Sequence, residues 1–284
     1  MSLKMIQERL DAYQCRSVQE EENALREITQ EVALASLSRS DFFKKAAFQG
    51  GTCLRIFYSL ERFSEDLDFI LKEPYSPFDL NFYLKNLSLE FETYGYRLEV
   101  MDRSRVENAV KKAFLKDDSI GKILVLGHRR QANIARQIKI KIEVDTHPPS
   151  GGGFENKYHN FPFPFSVTAQ DLPSLFAGKS HALLCREYPK GRDWYDFVWY
   201  ASRKTPLNFH FLSSALDQIG PWKGKGVKAD WQWYLRECEN KIRAIDWKVM
   251  QAEVSRFLKP REAEIIKIWS ADFFLDCLEK LKGQ

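Results

Sequence analysis

Two carboxylates stand one residue apart in Asp66-Leu67-Asp68-Phe69-Ile70-Leu71, a stretch that alternates in the manner of a strand. A period of two puts both side chains on one face, roughly 7 Å apart along the chain. Two ionised aspartates so placed repel each other, and a divalent cation removes the conflict. Upstream, the apolar run Ala46-Ala47-Phe48 leads into Gly50-Gly51-Thr52. Paired glycines let the backbone turn with positive φ and approach a ligand closely. Such a turn presents N–H groups, and here a hydroxyl, to phosphates. Between turn and aspartates, Leu54, Phe57, Tyr58 and Leu60 fall at helical spacing. The set points to phosphoryl or nucleotidyl transfer, in which carboxylates hold a pair of hard cations about 3.5–4 Å apart. An Asp-x-Asp pair alone is an ordinary strand edge; the glycine turn one helix length upstream gives it weight.

That chemistry needs further acids and cations. Ile138 to Asp145, IKIKIEVD, alternates apolar Ile140, Ile142 and Val144 with charged residues, which predicts a half-buried strand. Asp145, at its end, is the nominated third metal carboxylate, and Glu143 on the same face is the fallback. Six Lys or Arg and no acid lie between Gly121 and Ile142, a local basic field that suits a polyanion or is a solvated face. Helices are expected over residues 17–38, 42–45 capped by Ser40 or Asp41, 78–94 and 171–186. Strands are expected over 96–101 and 120–127, with 106–118 read as an irregular insertion. Pro148, Pro149, Gly151 to Gly153 and the Phe-Pro-Phe-Pro-Phe run at 161–165 read as a linker. This divides the chain into residues 1–165 and 166–284. The second part carries all seven Trp, read mainly as helical core. It also carries Lys179 in mid-helix and, in KGRDWYDFVWY, Asp193 and Asp196 at i and i+3 beside Arg192.

The 284 residues, 44% hydrophobic and 29% charged, suffice for one large or two ordinary globular domains. The net charge of +4 is only mildly basic. Five scattered cysteines without a CxxC pair argue against a zinc ribbon or a disulfide framework and for a reducing compartment. MSLKMIQERLDAYQ lacks the apolar core of a signal peptide, and no run approaches ~20 apolar residues. A soluble, cytoplasmic protein without a membrane partner is the expectation.

The ordered blocks GGTCLR, RFSEDLDF, KIEVD, GKSHALLCR and KGRDWYDFVWY resemble the AbiEii/AbiGii nucleotidyltransferase toxin family, which includes MenT-type toxins. The resemblance spans about residues 48–200. It implies an α+β chain: a polymerase-β-like nucleotidyltransferase domain, its mixed sheet flanked by helices, followed by a helical C-terminal domain. By position it makes Asp66 and Asp68 ligands of Mg²⁺ and assigns the nucleotide phosphates to Gly50, Gly51 and Thr52. Arg62 and Ser64 fall in the same nucleotide-binding block. Lys179 would neutralise the triphosphate, Asp196 would be a further essential acid, and Asp193 would pair with Arg192 or share that role. Asp145 is the least certain transfer. The implied reaction moves a nucleoside monophosphate from an NTP to a hydroxyl, with tRNA 3′ ends as the leading acceptor and a cognate antitoxin as partner. HRRQANIARQIKIK and PWKGKGVK offer cations for RNA phosphates. Nucleotidylation of a protein Ser or Thr, or a non-catalytic nucleotide-binding module, are the alternatives.

Overall fold

The computed structural model describes residues 2–75, 77–102, 110–117 and 138–281. The chain divides into two compact units: Met1–Ser59, Phe63–Pro148 and Asn156–Ala169 in one, and Leu60–Arg62, Pro149–Glu155 and Gln170–Gln284 in the other. The expected boundary at residue 165 falls at the first residue of a strand.

The first unit carries a mixed seven-stranded sheet. Its elements in chain order are α1 (Ser2–Asp11), α2 (Val18–Ser38), α3 (Phe42–Lys45), β1 (Ala46–Gln49), α4 (Gly50–Tyr58), β2 (Leu67–Leu71), α5 (Leu80–Thr93), β3 (Glu99–Asp102), β4 (Val110–Asp117), β5 (Ile138–Asp145), β6 (Phe154–His159) and β7 (Phe165–Gln170). The sheet order is β3-β4-β5-β2-β1-β7-β6. At its centre β2 runs antiparallel to β1, with Gln49 opposite Asp68, and parallel to β5, with Asp68 opposite Glu143 and Ile70 opposite Asp145. Ser17 caps α2 by accepting the Glu20 N–H at 3.2 Å, and Glu20 and Glu21 occupy the positive end of its dipole. Asp41 does not cap α3; it accepts the Tyr83 hydroxyl and pairs with Lys45, each at 2.9 Å. The core beneath the sheet is aromatic: Phe42 meets Phe69 edge-on at 4.9 Å and Tyr83 at 5.0 Å.

Two expectations are corrected here. The stretch read as an irregular insertion contains β4, whose Lys111, Ala113, Leu115 and Asp117 form its buried face. Two charges at buried positions mask the alternation that marks a strand. The presumed linker carries β6, an edge strand, where polar residues and a proline-rich connection are tolerated. The strand expected over 120–127 lies outside the described residues, as do His128 and most of the basic segment.

The second unit is helical: α6 (Leu172–Cys185), α7 (Gly191–Ser202), α8 (Phe209–Gln218), α9 (Trp231–Arg243), α10 (Trp247–Ser255), α11 (Pro260–Ile265), a 3-10 turn and α12 (Ala271–Glu279). Asp171 caps α6 through the Ser174 N–H at 2.9 Å, with Pro173 in the first turn, where its missing N–H costs nothing. α7 packs on α6, α10 and α12. Trp194, Trp199, Trp247 and Trp269 are buried, and Trp247 stacks on Phe274 at 3.9 Å; Trp222, Trp231 and Trp233 are half-buried. Among the described residues no helix is long and apolar enough to cross a membrane.

Candidate active site

α4 begins directly at the end of β1, and Gly50 makes the corner at φ +78°. That angle lies in the left-handed region, which favours glycine. A Cβ built there would meet Asp68 Oδ2 at 2.5 Å, so the Asp68 carboxylate lies against bare backbone. Gln49, at the N-cap of α4, gives no side-chain hydrogen bond to the helix start. Amide donors and the positive end of the helix dipole therefore open beside a carboxylate-bearing strand. Asp66 and Asp68, both half-buried, share one face at the head of β2. Thr52 has a different task from the one expected. It is fully buried, and its hydroxyl donates to the Asp66 carbonyl at 2.5 Å, tying the α4 start to the residue before β2. Ser64 is half-buried and accepts the Gln30 amide through its carbonyl at 3.2 Å.

The third carboxylate is not assembled as expected. Among the described residues no three His, Cys, Asp or Glu side chains gather so as to hold a metal ion. Register explains this for Asp145, which sits opposite Ile70, one strand period beyond Asp68. Glu143 stands directly opposite Asp68 but is engaged by Lys112 at 3.0 Å and Lys141 at 2.5 Å. Burial raises the Glu143 carboxyl, but the two ammonium groups outweigh it and hold the group below its usual range. Asp145 is shifted the other way: burial raises it, and the His147 N–H at 2.9 Å offsets this only in part. Asp66 and Asp68 alone still fit Mg²⁺, which is commonly bound by one or two carboxylates, with substrate phosphate oxygens and water completing its shell.

In the second unit Asp193 and Asp196 lie one turn apart on α7 and share Lys179 of α6. The ammonium is 2.8 Å from each. Arg62 forks onto Asp196 with both bonds at 2.6 Å, matching the planar guanidinium to the carboxylate. Arg186 lies 3.3 Å from Asp193. Arg62 is only 1% exposed and Asp196 0%, so Arg62 is an ion-pair partner of Asp196. Burial lowers the Arg62 pKa, but the Asp196 charge and hydrogen bonds overcome that and raise it. Burial likewise raises Asp193, and Lys179 and Arg186 outweigh it to hold the carboxyl low. Among the described residues Lys179, Arg62 and Arg186 thus meet the two buried carboxylates. The Arg192 guanidinium lies 5.5 Å from the Phe257 ring centre. Sequence reasoning gave no role to Lys112, hidden in the unread strand, or to Arg186, which closes the block GKSHALLCR.

The sequence matches, over residues 32–277, the profile of the family described as nucleotidyl transferase AbiEii toxin of type IV toxin-antitoxin systems. The chain belongs to that family. It is a nucleotidyltransferase of the toxin class. Membership implies an NTP substrate and an antitoxin partner. No curated protein sequence matches the chain. Among solved structures, MenT4, a nucleotidyltransferase toxin from Mycobacterium tuberculosis, aligns with a TM-score of 0.52 at 14% identity over 100% of both chains. JHP933 from Helicobacter pylori aligns with a TM-score of 0.50 at 16% identity, over 91% of this chain and 94% of that one. These likenesses speak to the fold, which is the expected mixed sheet flanked by helices with a helical C-terminal part.

Two outcomes follow for stability. Asp196→Ala removes the carboxylate fork that faces the buried Arg62 guanidinium and is expected to cost about 3–5 kcal/mol in urea melts at pH 7. Lys179→Ala should cost less, because each aspartate keeps a guanidinium; equal losses would contradict this arrangement. Asp145→Asn is expected to raise the melting temperature at neutral pH. A carboxyl whose folded pKa is raised ionises more readily when unfolded, so it destabilises the native state above the ordinary aspartate range and not below it. The gain should therefore vanish as the pH falls below about 4; a gain that persists there would contradict the burial argument.

Proposed function

We propose that the AbiEii-family chain transfers a nucleoside monophosphate from an NTP to an RNA hydroxyl, the tRNA 3′ end, in a Mg²⁺-dependent reaction in the cytoplasm: the hydroxyl oxygen bonds to the α-phosphorus, the α–β phosphoanhydride bond breaks, and pyrophosphate leaves. The observation that carries the reading is the Gly50 corner set against the Asp68 carboxylate, with Asp66 on the same strand face. Asp66 and Asp68 hold the cation. When bound, it supplies polarisation of phosphoryl oxygens and a lowered pKa for the attacking hydroxyl.

The backbone amides opening α4 at Gly50 and Gly51 bind phosphate oxygens, and the buried Thr52 keeps Asp66 in place through its carbonyl. Lys179, held by Asp193 and Asp196 within the second unit, is proposed as a counter-cation for the triphosphate from its place in the family motif alone. Asp196 thus acts through Lys179 and Arg62 and not on the reacting atoms. These are contributions of placement and fixed charge, the main resources available to phosphoryl transfer. Asp145 lies outside this set, and Glu143 lends its charge to Lys112 and Lys141.

Purified protein, Mg²⁺, each α-labelled NTP in turn and total tRNA should give label at the RNA 3′ end. Asp66→Ala, Asp68→Ala or a chelator should cut it by about a thousandfold, the value of several kcal/mol of charge stabilisation. Asp145→Asn should stay within about tenfold of wild type, since it removes no proposed ligand. Label on protein instead of RNA would reject the acceptor, and Asp145→Asn as inactive as Asp66→Ala would reject the two-aspartate site.

A further inference from the structure

Between α8 and α9 the chain reads Ile219-Gly220-Pro221-Trp222-Lys223-Gly224-Lys225-Gly226-Val227-Lys228-Ala229, three lysines and no acid. Lys223, Lys225 and Lys228 are exposed, and among the described residues no carboxylate pairs with any of them.

The loop is nevertheless tied down through its backbone. Asp217, at the end of α8, accepts the Gly224 N–H on its carbonyl and the Gly226 N–H on its Oδ1, both at 3.0 Å. Ser213 Oγ accepts the Ala229 N–H at 2.9 Å. Gly224 and Gly226 sit at φ +69° and +61° with nothing within 4 Å of a built Cβ, so the backbone turn and not crowding calls for glycine. Asp217 is thus engaged in holding the turn, Asp230 just beyond the loop caps α9 by accepting the Trp233 N–H at 2.8 Å, and the lysine charges are left outward. Trp222 stands edge-on to Trp233 of α9 at 5.2 Å, both half-buried, leaving ring surface beside the lysines.

We infer that this loop is a backbone-gripping surface for the RNA acceptor, lysines on phosphates and Trp222 on a base. A fixed cationic turn with an aromatic neighbour is the recipe for single-stranded nucleic acid, whereas lysine is depleted at protein–protein interfaces. The inference rests on the RNA reading above, and its test separates the two.

The test titrates full-length protein into 5′-labelled deacylated total tRNA from 50 to 200 mM salt, alongside NTP-labelling kinetics. Replacing Lys223, Lys225 and Lys228 by alanine should lower the log–log salt slope by about 2–3, close to one unit per lost phosphate contact. It should raise KM for tRNA by on the order of tenfold while leaving kcat at saturating tRNA unchanged. Asp217→Ala makes the protein more positive, so bulk charge alone predicts tighter binding; release of the turn predicts weaker binding. Wild-type labelling of RNA with slope and KM unmoved in the lysine variant would overturn the loop and leave the RNA reading standing. Tighter binding by Asp217→Ala would overturn the role of the fixed turn. Labelling of protein and not RNA would overturn the acceptor and the loop together.

Discussion

The arrangement of the first unit depends on one close approach: Asp68 Oδ2 lies 2.5 Å from where a side chain at residue 50 would begin. A Cβ at residue 50 would displace the Asp68 carboxylate from the corner between β1 and α4, and the left-handed angle at Gly50, where the chain turns from strand to helix, favours glycine. The pairing of Gln49 with Asp68 and the Thr52 hydroxyl bond to the Asp66 carbonyl then fix the same junction from two sides. A carboxylate face and a row of helix-start amides are thereby held side by side by backbone geometry, so that little reorganisation is needed during a reaction.

The second unit solves a different problem. Two aspartates buried on α7 are tolerated because Lys179, Arg62 and Arg186 meet them, and desolvation makes every member depend on the others. Loss of activity on replacing Asp196 therefore needs a stability measurement beside it before a chemical role is assigned.

Periodicity made IKIKIEVD legible as β5, because alternate residues of that strand are buried, and the helical spacing of apolar residues made VQEEENALREITQEVALASLS legible as α2, although α2 is buried on all sides from Ile28 to Leu37. The glycine turn and the paired aspartates were legible for the same reason: their spacing is local. β4 was not, since Lys111 and Asp117 occupy its buried face. Which acid of β5 stands beside Asp68 depends on strand register, which no single segment encodes. Likewise the partner of Arg62 is 134 residues away in the chain, so a residue that looks like a phosphate ligand in its motif proves to be half of a buried ion pair.

The measurement that reaches the central claim most directly is calorimetric titration of a non-hydrolysable NTP, with and without Mg²⁺, into wild type, Gly50→Ala and Asp68→Asn. If the glycine corner and Asp68 form the cation–triphosphate site, wild type binds in a Mg²⁺-dependent manner. Both variants then lose that dependence while still melting cooperatively. Unchanged Mg²⁺-dependent binding by folded Gly50→Ala and Asp68→Asn would contradict the account and place the nucleotide elsewhere.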